Sequence, residues 1–131
     1  MKMFSLVYIV EDDWITSTVT ELLIKKNRAF GRVQKYPNGQ VAFDELQRAQ
    51  QHAAEVPDLI LLDLNMPVMD GWEFLDAFSG LALQKPVHVC VLTSSIHPDD
   101  IEKSKSYKEV EGYFPKPINN GMLDQLVQLL G

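Results

Sequence analysis

Cysteine is nearly absent. Cys90 stands alone inside an apolar run, which rules out an internal disulfide and leaves no second thiol for a metal site. Its plainest role is that of a small buried hydrophobe. Basic residues are also scarce: 12 Lys and Arg face 18 Asp and Glu, for a net charge of −6. A nucleic-acid surface needs clustered cations, and the two short basic groupings, Lys25-Lys26-Asn27-Arg28 and Lys103-Ser104-Lys105, are diluted by polar or acidic neighbours. They read as solvated faces. No apolar stretch approaches the roughly 20 residues that cross a bilayer. The first apolar run, Leu6 to Val10, ends directly in Glu11-Asp12-Asp13 without a small-residue cleavage site, so it reads as a strand and not a leader. Internal repeats, low-complexity tracts and linkers are missing too. The expectation is a cytoplasmic, single-domain protein spanning residues 1–131.

What is present is an alternation, repeated five times, of apolar runs with helix-period segments. Phe4 to Val10 precedes a helical pattern with Ile15, Val19, Leu22 and Leu23 on one face, capped by Asp13 or Asp12. A weaker strand from Phe30 to Tyr36 is broken by Pro37-Asn38-Gly39, a turn signal. Val41, Phe43, Leu46 and Ala49 mark the second helix, which ends before Pro57. Leu59 to Leu62 is wholly aliphatic and runs into Asp63. After the loop from Asn65 to Gly71, Trp72, Leu75 and Phe78 mark a short third helix. Val87 to Leu92 is a fourth strand and Pro98 to about Tyr107 a fourth helix, anchored by Ile96, Ile101 and Tyr107. Gly112 to Phe114 is a fifth strand, and Leu123, Leu126, Val127 and Leu130 define the last helix. Such alternation implies right-handed crossovers and a doubly wound α/β fold with a five-stranded parallel sheet. Ligands then bind beyond the carboxyl ends of the strands.

Four strand ends carry polar residues: Glu11-Asp12-Asp13, Asp63, Thr93-Ser94 and Lys116. All should open onto one rim. Carboxylates gathered there repel by roughly 4 kcal/mol per pair at about 4 Å and an effective dielectric near 20, so the cluster calls for a cation or for shifted pKa values. Oxygen donors without His or Cys favour Mg²⁺, with Mn²⁺ as a substitute, over zinc. A hydroxyl at Thr93 and a cation at Lys116 suit a phosphoryl group. Each residue taken alone has a plainer reading. The acidic triplet fits a helix cap about as well as a metal site, Thr93-Ser94-Ser95 fits a loop, and Lys116 a surface cation. His52, His88 and His97 show no metal-ligand spacing. Convergence at one rim carries the argument.

The segments Ile9-Val10-Glu11-Asp12-Asp13, Leu61-Leu62-Asp63-Leu64-Asn65-Met66-Pro67, Asp70-Gly71, Leu92-Thr93-Ser94 and Gly112-Tyr113-Phe114-Pro115-Lys116-Pro117 together resemble the signature of bacterial receiver domains of two-component response regulators. The resemblance spans nearly the whole chain and implies a flavodoxin-like (βα)5 fold with strand order 2-1-3-4-5. It implies Asp63 as phosphoacceptor and metal ligand, Asp12 as direct ligand, Glu11 through water, and the Asn65 backbone carbonyl as a further ligand. Thr93 would bond the phosphoryl oxygen, Lys116, aimed inward by a cis Lys116-Pro117 bond, would pair with another, and Tyr113 would turn inward behind Thr93 as the switch.

The implied partners are a histidine kinase or histidine phosphotransfer protein, and a downstream protein target on the fourth helix, fifth strand and fifth helix. Nucleic acid and membrane are not expected partners, and the chain would be a monomer or a phosphorylation-dependent dimer. No output segment is read in the chain, which would not be an enzyme beyond assisting its own phosphorylation and dephosphorylation. Ser94 and Pro115 depart from the family's commoner small and aliphatic residues. Two alternatives stand beside this one. A degenerate receiver would serve only as an interaction module, and an aspartate-nucleophile phosphatase of the haloacid-dehalogenase type would want a second Asp where Asn65 stands.

Overall fold

Leu59, Ile60, Leu61 and Leu62 lie buried on both sides of a sheet, as their unbroken aliphatic character demands. The computed structural model describes residues 3–83, 85–94 and 97–130; Ile96, one of the expected anchors of the fourth helix, lies outside them. The elements run β1 (Phe4–Val10), α1 (Trp14–Lys26), β2 (Phe30–Tyr36), α2 (Gly39–Ala49), β3 (Leu59–Asp63), α3 (Gly71–Phe78), β4 (His88–Thr93), α4 (Pro98–Ser104), β5 (Val110–Pro115) and α5 (Asn120–Leu130). A 3-10 turn at Ala53–Glu55 fills the connection to β3. The five strands are parallel in the order β2-β1-β3-β4-β5. The parallel sheet is what the alternation predicts, and its order is the flavodoxin-like one that the resemblance implies.

Strand alternation sorts the core into two layers. Leu59 and Leu61 join Val7, Ile9, Cys90, Leu92, Leu123 and Leu126 on the face covered by α1 and α5. Ile60 and Leu62 join Tyr8, Val10, Ala42, Leu46, Phe74 and Leu75 on the face covered by α2 and α3. Each such aliphatic side chain contributes about 1.5–3 kcal/mol by leaving water. Burial also pushes the Cys90 thiol up to about 12, so it is the inert core residue its surroundings suggest. At the amino ends of the strands, Asp58 accepts from the Ser5 and Leu6 amides and pairs with Lys85. That clamp leaves the carboxyl ends as the open rim.

The first helix corrects the expected face. Ile15, Val19 and Leu22 are exposed, and only Leu23 of that set packs against the core. The residues that α1 buries are Ser17, Thr20 and Ile24. Small side chains at 17 and 20 bring the helix close to the sheet, and the Thr20 hydroxyl is satisfied by the Thr16 carbonyl at 2.8 Å. The apolar row is rotated outward. In α2 the buried residues are Gly39, Ala42, Leu46 and Ala49, while Val41 is exposed and Phe43 half-buried.

Candidate functional site

Glu11 and Asp12 follow β1, Asp63 ends β3, Thr93 ends β4 and Lys116 follows β5. Parallel strands of matched register bring these ends together: Val10 pairs with Leu62, Asp63 with Leu92 and Thr93 with Pro115. One oxygen from each of Glu11, Asp12 and Asp63 lies within 4.8 Å of the others. Asp63 is 3% exposed and Glu11 6%, whereas Asp12 is open to solvent. Lys116 reaches into the cluster, with its Nζ 2.6 Å from Glu11 Oε1 and 3.1 Å from Asp63 Oδ1. The Lys116–Pro117 bond is cis, as expected, and the Lys116 amide donates to the Thr93 carbonyl at 2.7 Å.

Fully ionised, three carboxylates and one ammonium leave 3 − 1 = 2 uncompensated negative charges at the rim. Burial pushes the Glu11 carboxyl up to about 7; the Lys116 ammonium and the Asp13 amide pull it back, and the Asp63 charge adds to the rise. Burial alone would lower Lys116, but the carboxylates of Glu11 and Asp63 hold it above its usual value. Oxygen-only donors with two net negative charges fit a hard divalent cation. Asp13 does not join the cluster. It caps α1, with Oδ1 accepting from the Ile15 amide and Oδ2 from the Thr16 hydroxyl, and so settles which aspartate is the cap.

The loop after β3 is fixed by close backbone approaches. Gly71 donates to the Leu64 carbonyl at 3.0 Å, and a Cβ there would stand 2.6 Å from the Asp63 carbonyl oxygen. Only glycine fits. Asp70 and Glu73 form a reciprocal capping box that starts α3. The Asn65 amide lies 3.4 Å from Asp63 Oδ1, which brings its backbone to the site. Between them, Val68 takes φ 68° with the Met69 amide bonded to the Pro67 carbonyl at 2.8 Å.

Thr93 is buried. Tyr113 is half-buried, with an enclosed hydroxyl. Its pKa is raised first by burial and then by the Asp100 carboxylate, while the Thr93 hydroxyl pulls the other way. Among the described residues no histidine joins the carboxylate group. His88 pairs with Glu111 at the amino end of β4, and His97 caps α4 by accepting from the Asp99 amide at 3.2 Å.

Two features escaped sequence reasoning. The first is a groove of about 400 Å³ beside the site, lined by Ile15, Thr16 and Val19 from α1, with Ser94, Lys116 and Pro117 opposite. Its signal was the pair of small polar residues Ser17 and Thr20 at helical spacing, which turn the apolar row outward. The second is a contact between α3 and α4. Trp72 stacks on Tyr107, Lys103 lies over the Trp72 ring, and Tyr107 bonds Asp76. No period in the sequence marks it.

A family model described as the response regulator receiver domain matches residues 7–128. The chain is 31% identical to the response regulator Rcp1 of Synechocystis over 93% of its length and 83% of that protein's. It is 27% identical to a probable methanogenesis regulatory protein, FilR2, of Methanothrix harundinacea, over 94% of the chain and 79% of the relative. Other relatives are longer: the chain spans 52% of the rice response regulator ORR1 and 20% of a Treponema pallidum protein-glutamate methylesterase/protein-glutamine glutaminase. A two-component response regulator structure from Cytophaga hutchinsonii superposes with a TM-score of 0.87 at 28% identity, covering 99% of this chain and 98% of that one. An Mn²⁺-bound form of Rcp1 superposes at 0.74 with 30% identity, covering 95% and 89%.

Proposed function

Because the chain belongs to the response regulator receiver domain family, we propose that it is a phosphorylation-activated switch whose acceptor is Asp63. An Asp63 carboxylate oxygen attacks the phosphorus of a phosphohistidine on a kinase or phosphotransfer protein. The N–P bond breaks, and the imidazole leaves with the bonding electron pair. The observation that carries this reading is the pairing of the buried Asp63 with Lys116 at 3.1 Å inside a group of three carboxylates. Lys116 would meet one phosphoryl oxygen, and the Thr93 hydroxyl would donate to another. Asp12, Asp63 and the Asn65 carbonyl would hold Mg²⁺, with Glu11 acting through water; Mn²⁺ would substitute, in keeping with the Mn²⁺-bound form of the similar Rcp1. The metal supplies charge neutralisation between the acceptor and the phosphoryl group.

The donor reaches Asp63 from outside the rim, and the surface beside that opening is the exposed apolar row of α1. Trp14 is 72% exposed, Ile15 68% and Leu22 55%, and Ile15 with Val19 lines the groove that Lys116 also lines. The donor's own apolar helix face fits there. Output runs through α4, β5 and α5, where Tyr113 lines one cleft with Ile101 of α4 and another with Gln125 of α5.

Intact-mass analysis after incubation with acetyl phosphate tests the chemistry. One added phosphoryl group that requires both Mg²⁺ and Asp63, and is lost in Asp63→Asn, is the expected result. No adduct under any condition would weaken this reading, and failure to bind beryllofluoride as well would move the phosphorylation-independent interaction module ahead.

A further inference from the structure

α4 is a weakly rooted helix. It has seven residues, and the one it buries is Ser104. Two structures flank it. On one side Tyr113 lines a cleft with Ile101 and Ser104. On the other side is α3, whose first residue, Gly71, is packed against the Asp63 carbonyl and bonded to Leu64. The next residue is Trp72. Its ring packs on the core layer beneath α2 and α3 and meets the Tyr107 ring at 6.0 Å and 25°. Lys103 Nζ lies 4.5 Å above its centroid. Tyr107 closes the group by donating to Asp76 Oδ1 at 2.6 Å, a bond that raises its own pKa to about 12. Lys103 is on α4, Tyr107 follows that helix, and Trp72 and Asp76 are both on α3.

We propose that Trp72, Asp76, Lys103 and Tyr107 form a joint tying α4 to the helix that starts at the phosphorylation site, a second link between Asp63 and α4 besides Thr93–Tyr113. The inference rests on Asp63 being the acceptor. A cation over an indole and a near-parallel aromatic pair are each modest interactions. Among the described residues α4 has little other anchorage, so they make up a large part of what holds it. A phosphoryl group that draws on Thr93 and repositions α4 works against the joint. Coupling between two sites is reciprocal, so loosening the joint returns to Asp63 as tighter binding of a phosphoryl mimic.

The test is calorimetric titration of the full chain with beryllofluoride at saturating Mg²⁺. The variant Lys103→Met/Tyr107→Leu is expected to bind at least about three times more tightly than wild type, a change of roughly 0.6 kcal/mol. Tyr107→Phe, which keeps the ring and loses only the Asp76 bond, shifts in the same direction by less. In a Trp14→Phe background, where Trp72 is the sole indole, emission changes on beryllofluoride addition and the change shrinks when Lys103 is replaced. Equal or weaker binding by variants with wild-type circular dichroism overturns the joint. If the double variant does not fold, Tyr107→Phe and Lys103→Met taken singly decide by the same criterion. Failure of the wild-type chain itself to bind beryllofluoride strikes the acceptor reading and removes this inference with it; binding by wild type without a shift in the variants strikes the joint alone.

Discussion

Val68 combines a β-branched side chain with φ 68° and 79% exposure, directly in the loop that carries Asn65 towards Asp63. The left-handed region costs an L-residue roughly 1–2 kcal/mol, and a β-branched one is rarely found there. The surroundings hold it: Pro67 and Met69 close a three-residue turn around it, and the Met69 carbonyl receives the Gly39 amide at 3.1 Å. With no side-chain burial to lose, Val68→Asn should stabilise the fold by about 1 kcal/mol, since Asn tolerates this backbone. Urea unfolding midpoints at equal m-value read the change; an unaltered midpoint would mean the turn is not strained. Tyr107 offers a second check on a single residue. Its folded pKa, raised by the bond to Asp76, lies above that of a free phenol. The stability this bond contributes is therefore complete below about pH 10 and is lost as the pH rises through about 12. The Cζ resonance of Tyr107 should titrate near 12, and Asp76→Asn should bring it down towards 10. A midpoint unchanged by Asp76→Asn would exclude the bond.

Among the elements, α1 carries the sharpest expectation. If the donor docks on its outward row, Ile15→Asp/Leu22→Asp should slow phosphotransfer from a phosphohistidine donor at least about tenfold, the scale of 1.4 kcal/mol. Phosphorylation by acetyl phosphate, too small to touch the row, should keep its rate. Equal slowing with both donors would locate the defect in the site itself. The same helix shows where sequence reading stops. Ile15, Val19, Leu22 and Leu23 have the spacing of a buried stripe, yet the sheet receives Ser17, Thr20 and Ile24. Periodicity identifies a helix, but on one with apolar side chains around much of its circumference it does not fix which stripe turns inward. β3 was readable for the opposite reason. Four consecutive aliphatics leave no polar face to misassign, and an Asp placed directly after them has to stand at the strand's end. The contact of Trp72 with Lys103 and Tyr107 depends on where two crossovers end, which no local pattern encodes.

At the scale of the whole molecule, the rim exists because the sheet outweighs it. The two core layers hold three carboxylates within 4.8 Å of one another, a placement that costs stability in the absence of a cation. Functional sites commonly carry such a cost. Asp63→Asn removes one charge from the group and keeps a side chain of nearly the same shape. The metal-free variant should therefore be more stable than metal-free wild type, by about 1 kcal/mol. Wild type should then gain the more from Mg²⁺: at a concentration about 100 times its dissociation constant, mass action adds about 2.7 kcal/mol. For a domain of this size that corresponds to a rise of roughly 10 °C in melting temperature. The Asp63→Asn variant, short of one ligand, should show a small fraction of that rise. Thermal melts of both proteins with chelator and with Mg²⁺ measure the two differences together. A variant less stable than wild type in chelator, with its Mg²⁺ response intact, would mean that Asp63 is held by its pairing with Lys116 alone and that the cation site lies elsewhere. The paired inversion, more stable without metal and less responsive with it, is what a carboxylate kept for function and tolerated by the fold should produce.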